Sequence, residues 1–307
     1  MRVTAIFNFI YFMILTVLIP YSCTDHFDPT TGLNGTVNDI EKMLKADDIV
    51  QRVSLPVANF EFKTRNNTWI NALPNSFIYE DDGKPCTGNI NIEITELFTK
   101  SEILRYGIPT ITLDNKIIES DGEFLFSVSQ GNRKVKLAPQ KNIILSVKNE
   151  NPNNQMELFS AIENAWRPVG DEFVPITIVN NANSDFRNIG YGLELNSFKW
   201  VNIDYFSKFD KPLVTTKIEL PTGYNNNNTK VFAVFADLNI VIPIYGNMYS
   251  IMLPADQKVN FVVISAENDN EFRFEVKKEM IKNNLTVSMN PKRTSESQIK
   301  KALQSLD

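Results

Sequence analysis

Histidine is almost missing from these 307 residues, and the single one is His26. A Ser-His-Asp triad, a Cys-His nucleophile and a histidine-bound zinc each need an imidazole held in a rigid pocket. His26 lies in a stretch without periodicity, so all three are disfavoured. Cysteine is nearly as scarce: Cys23 and Cys86 offer no disulfide framework, and Cys86 after Pro85 reads as a small buried hydrophobe. No Walker or dinucleotide glycine motif follows a strand pattern at the required spacing, and no cofactor or metal is expected. Positive charge is not in excess either, with 31 Lys and Arg against 36 Asp and Glu, a net charge of -5 and a pI near 5.2. Without a basic stripe, nucleic acid is not an expected partner.

What the chain has in quantity is short alternating runs. With 43% apolar and 22% charged residues it belongs to the globular class. Asn89-Ile90-Asn91-Ile92-Glu93-Ile94 and Glu123-Phe124-Leu125-Phe126-Ser127-Val128 repeat every two residues, which puts their apolar members on one face of a half-buried strand. Similar runs, bounded by Asn, Asp, Gly or Pro, continue almost to the end. Crossover helices are lacking, so the pattern predicts antiparallel sandwiches. The expectation is an all-β chain with two β-sandwich domains, residues 37–150 and 156–290, meeting at the polar, Pro-containing stretch Asn149 to Asn154. Short helices are expected near both ends. Thr36 with Asp39 three residues on starts one, and Ser295 to Leu306 forms another within residues 294–307.

The one long apolar run is Ala5 to Ile19, preceded by Arg2 and followed by Pro20-Tyr21-Ser22-Cys23. It is short for a membrane span and has no stop-transfer charges, so residues 1–22 read as a signal peptide. A signal ending in Ser-Cys resembles a bacterial lipoprotein signal, which implies lipidation of Cys23; Pro20 and Tyr21 depart from the usual residues before it. Residues 23–36 then read as a tether between lipid and folded body.

Asp82-Gly83-Lys84-Pro85-Cys86-Thr87-Gly88-Asn89-Ile90, Lys100 to Gly107, Pro109-Thr110 and Ile118-Glu119-Ser120-Asp121-Gly122-Glu123-Phe124 follow an order that resembles uncharacterised bacterial surface lipoproteins. Their first module is similar to the ZU5-type β-sandwich. Trp200-Val201-Asn202-Ile203-Asp204-Tyr205-Phe206 resembles a second stretch of that group, with Lys199 where it has Gly and Tyr205 where it often has Arg. The resemblance implies a Gram-negative cell-envelope protein, anchored at the outer membrane, and carries no catalytic residues.

Carboxylates are the remaining catalytic route, since glycoside hydrolysis needs only two of them. Asp121, Glu123, Asp171 and Asp204 are candidates, and each also reads as an ordinary turn or surface residue. Alternation places Trp200, Asn202, Asp204 and Phe206 on one strand face, a mix of stacking and hydrogen-bonding groups able to read a sugar; a core with a buried polar pair is the plainer reading. On that plainer reading the indole of Trp200 lies mostly in the second domain's core. Glu267 to Glu271 offers oxygen ligands for calcium without EF-hand spacing. The functional expectation is a lipid-anchored, non-enzymatic surface protein that binds an envelope protein or a glycan. The alternative is a carboxylate-dependent hydrolase of exported glycans.

Overall fold

The computed structural model describes residues 33–45, 48–162, 165–169, 175–183, 186–246 and 249–307, and Gly32–Asp307 form one compact unit. Thr36 opens α1 (Val37–Leu44): its N–H and its hydroxyl both donate to Asp39 Oδ2, at 2.8 and 2.7 Å. The Asp39 side chain thus reaches back from the first helical turn to satisfy the N–H of the capping residue.

The first sandwich begins with β1 (Val50–Pro56), β2 (Glu61–Lys63), β3 (Trp69–Ala72), β4 (Phe77–Tyr79) and β5 (Asn89–Leu97). A short helix, α2 (Lys100–Tyr106), follows, capped by Thr99 and closed by Gly107 at φ 87. Then come β6 (Ile118–Gln130), β7 (Arg133–Leu137), β8 (Ile143–Lys148), β9 (Glu157–Ile162), β10 (Ala165–Pro168), β11 (Thr177–Val179), β12 (Gly190–Leu195) and β13 (Val201–Phe206). One sheet runs β1-β5-β6-β13-β9-β10, with β7 on β6 and β4 on β7; the other runs β11-β12-β8-β3-β2. Ile90, Ile92 and Ile94 are buried on the inner face, as their alternation predicts, against Phe124, Phe126, Leu145 and Leu193. Burying each such side chain contributes about 1.5–3 kcal/mol. Cys86 belongs to this core as a small apolar group, and burial pushes its thiol up.

The expected domain boundary is corrected here. Asn149 to Asn154 is a loop within the first sandwich, because β12 pairs with β8, and β13 pairs with β6 and β9. Val201 and Ile203 fill the same core as Ile92. A polar, Pro-containing stretch marks a turn, but composition does not say which sheet the next strand joins. The second sandwich therefore starts at residue 213 rather than 156.

It consists of β14 (Leu213–Glu219), β15 (Thr229–Phe235), β16 (Val241–Ile244), β17 (Ser250–Pro254), β18 (Lys258–Asn268), β19 (Glu271–Met280), β20 (Leu285–Ser288) and β21 (Lys292–Thr294). The sheets run β17-β14-β20 and β16-β15-β18-β19-β21. β14 pairs with β20 in parallel, an exception to the antiparallel rule of the fold. Ile218, Phe235, Phe261 and Val287 fill the space between the sheets. On the other face of the larger sheet, Phe232, Val234, Val262 and Ile264 meet Ile40 of α1, Leu104 of α2 and Ile299 and Leu303 of α3 (Glu296–Gln304). Being covered on both faces, β18 carries the continuous run Phe261-Val262-Val263-Ile264 instead of alternating. The fold is all-β, with short helices laid on one sheet.

Candidate functional site

Asn202 and Asp204 point outward from the first core, as alternation requires of neighbours of Val201 and Ile203. They are nevertheless fully buried. Opposite them β6 carries a bulge: Ile203 aligns with Gly122 and Asp204 with Ser120, which leaves Asp121 unmatched. The extra residue reverses the alternation of β6, so that Ser120 and Glu123, three apart, share the outer face with Asn202 and Asp204. Gly122 permits this with φ 148, and a Cβ there would meet Phe98 Cε1 at 2.8 Å. The Ser120 hydroxyl donates to Asn202 Oδ1 at 2.8 Å, and Asn202 Nδ2 donates to Asp204 Oδ2 at 2.5 Å.

Glu123 Oε1, Glu123 Oε2 and Asp204 Oδ1 find no hydrogen-bond donor among the described residues. Both carboxyls are held well above the usual carboxylate range. For Glu123 the cause is burial and then the charge of Asp204; for Asp204 it is burial, aided by the charges of Asp121 and Glu119, since the one Ser120 hydroxyl proton goes to Asn202. On the inner side of the bulge, Asp121 accepts from the Tyr191 hydroxyl and from Asn149 Nδ2, and burial still pushes it up. Two of the four carboxylate candidates thus converge, Glu123 and Asp204, but at zero exposure. Asp171 lies outside the described residues, as does Cys23.

Trp200 is half-buried, edge-on to Tyr106 with ring centroids 5.1 Å apart. It packs between the helix-covered face of the second sandwich and a small cluster of Ile118, Phe159 and Trp166. The expectation that its indole fills the second domain's core is thereby corrected, because β13 belongs to the first sandwich and Trp200 faces out of it. Phe206 is also half-buried, under the Lys116 ammonium, and lines a shallow pocket of ≈ 600 Å³ with Phe209 and Leu213. The four residues singled out from Trp200 to Phe206 alternate along one face, and of them only Phe206 borders this pocket.

An open aromatic site lies on the opposite side of the first sandwich. β3 alternates in the same way: Ile70 enters the core while Trp69 and Asn71 face outward. Here both are half-buried, and a trough of ≈ 820 Å³ runs over Glu61, Trp69, Asn71, Leu73 and Arg187. The Lys63 ammonium and the Arg187 guanidinium flank the indole at 5.8 and 5.5 Å from its centroid. Neither stacks as closely as Arg133 does on Tyr79, at 3.5 Å. Arg187 also pairs with Glu61 at 2.6 Å. Aromatic surface, an amide and charges of both signs therefore sit together on a solvent-facing sheet. Sequence reasoning passed over Trp69; the signal was its alternation with Ile70 in a strand whose cross-strand neighbours, Lys63 and Glu61, are charged.

The oxygen-rich hairpin at Glu267 to Glu271 is committed internally. Glu267 is forked by Arg273 at 3.1 Å and Arg293 at 2.7 Å, and the Arg293 and Arg273 hydrogen bonds outweigh burial to hold its carboxyl below the usual range. Asn268 Oδ1 accepts from the Asn270 and Glu271 backbone. No protein-family model and no curated protein sequence matches this chain.

Proposed function

We propose that this protein is an exported, lipid-anchored, non-enzymatic β-sandwich protein of the cell envelope that binds a glycan through the trough over Trp69. The partly exposed indole carries the reading: a sugar ring stacks on an aromatic face while planar polar groups fix its hydroxyls, and Asn71, Glu61 and Arg187 stand beside the ring. Export and anchoring rest on the apolar run Ala5 to Ile19 and on Ser22-Cys23. The hydrolase alternative would draw on Glu123 and Asp204, and neither has surface open to a substrate.

Two measurements test the proposal. A glycan array probed with the full chain should give binding that Trp69→Ala weakens by about tenfold or more while the denaturation midpoint stays put, consistent with loss of one stacking contact. Equal binding by both proteins would move the site elsewhere. For the anchor, a fatty-acid probe in a Gram-negative host should label the wild type and not Cys23→Ala; equal labelling would remove the lipid from the proposal.

A further inference from the structure

The buried carboxyl pair has no part in ligand binding at Trp69, and its chemistry still demands an explanation. Glu123 and Asp204 sit at zero exposure with three carboxyl oxygens that meet no donor among the described residues. Two unpaired carboxylates side by side in such a place would be prohibitively costly, so something positive must lie between them. Among the described residues no side-chain cation serves. The charges acting on Asp204 are those of Asp121 and Glu119, and the charge acting on Glu123 is that of Asp204, all of them acidic. Tyr205, on the same strand as Asp204, donates its hydroxyl to Glu119. Glu157, which aligns with Asp204 on β9, is exposed. From the second-sandwich side, Lys100 spends its ammonium on the Phe235 and Ala236 carbonyls, and Asp237 is exposed.

A metal ion fits this donor set poorly. Among the described residues no three of His, Cys, Asp and Glu gather in a way that could hold one, and the Asn202 carbonyl oxygen already accepts from Ser120. A proton fits well. Asn202 donates to Asp204 Oδ2, while Asp204 Oδ1 and both Glu123 oxygens, carried on the same outer face, meet no donor among the described residues.

We propose that Glu123 and Asp204 hold one proton between them and so form an acid-reinforced clasp where the second sandwich seats on the first. The proton comes from solvent on folding and returns to it when the joint opens. The site belongs to that joint because the backbone of Ser120, within the same cluster, is hydrogen-bonded to the second sandwich: its N–H donates to the Asn239 carbonyl, and Asn239 Nδ2 donates to the Ser120 carbonyl at 2.7 Å. Both carboxyls lie above their unfolded values, so the contribution is full in acid and is lost as pH rises through the folded-state values. An exported protein built this way is firmer in acid surroundings than in alkaline ones.

The test is urea unfolding of the full chain in mild detergent, followed from about pH 5 to pH 9, together with proton release on unfolding. The wild-type midpoint should fall as pH rises, and unfolding near neutrality should release about one proton more from the wild type than from Glu123→Gln, whose amide donates to Asp204 without titrating. Equal slopes and equal proton release would overturn the proposal. Should Glu123→Gln not fold, infrared spectroscopy of the wild type decides: a protonated-carboxyl band persisting at neutral pH upholds the shared proton, and its absence refutes it. A midpoint raised by calcium or magnesium and lowered by EDTA would also refute it, by making the pair a cation site.

Discussion

Two stretches of this chain carry the same local pattern and come to opposite ends. Trp69-Ile70-Asn71 and Trp200-Val201-Asn202 each send the middle aliphatic residue into the first sandwich core and turn the tryptophan and asparagine outward. On β3 the outward face meets solvent and forms a trough. At β13 the outward face is covered, and Asn202 is drawn into a buried hydrogen-bond chain with Ser120 and Asp204. An outward-facing residue is thus exposed only where no second layer arrives, and the same side chains become a recognition surface in one place and a structural joint in the other.

Single substitutions can break this contrast, and the largest effect should come from the asparagines. Asn202→Ala removes the donor to Asp204 and the acceptor of Ser120 in a buried site, and should cost on the order of 3 kcal/mol in urea denaturation. Asn71→Ala on the open face should stay within about 0.5 kcal/mol. Equal costs would erase the distinction between the two faces.

The tryptophans sharpen it further. Trp200→Ala loses a half-buried indole and its edge contact with Tyr106, and should lower stability by about 2 kcal/mol, short of the 3–5 kcal/mol of a fully buried tryptophan. An unmoved midpoint would mean that the joint is looser than its packing implies. On the inner side of the same bulge, Tyr191→Phe takes one of two side-chain donors from Asp121 and should cost about 1 kcal/mol by the same measurement. Trp69→Ala loses a half-buried indole whose ring contacts are to the long Lys63 and Arg187 side chains, and its midpoint should shift by about 1 kcal/mol or less while glycan binding is lost. A large shift would reassign Trp69 from recognition to packing.

Much of the fold was legible in the residues themselves. Alternation at Ile90, Ile92 and Ile94, the capping pair Thr36 and Asp39, and the amphipathic Ile299 and Leu303 are each patterns read within a few residues, and each appears as anticipated. The candidate site was legible only in part. That Asn202 and Asp204 share a face follows from a period of two; that Ser120 and Glu123 join them does not, because the bulge at Asp121 reverses the alternation and is visible only once β13 lies alongside β6.

The sequence by itself determined that this chain folds as mostly antiparallel strands with helices near its ends, because strand period and capping are local properties. Tertiary structure alone decided that β9 to β13 complete the first sandwich, that Glu123 and Asp204 are both fully buried, and that Trp69 borders an open trough while Trp200 packs edge-on against Tyr106. The reason is physical: alternation says which side of a strand is apolar, whereas burial of the other side depends on a layer supplied from far along the chain, as Asn239 is for Ser120.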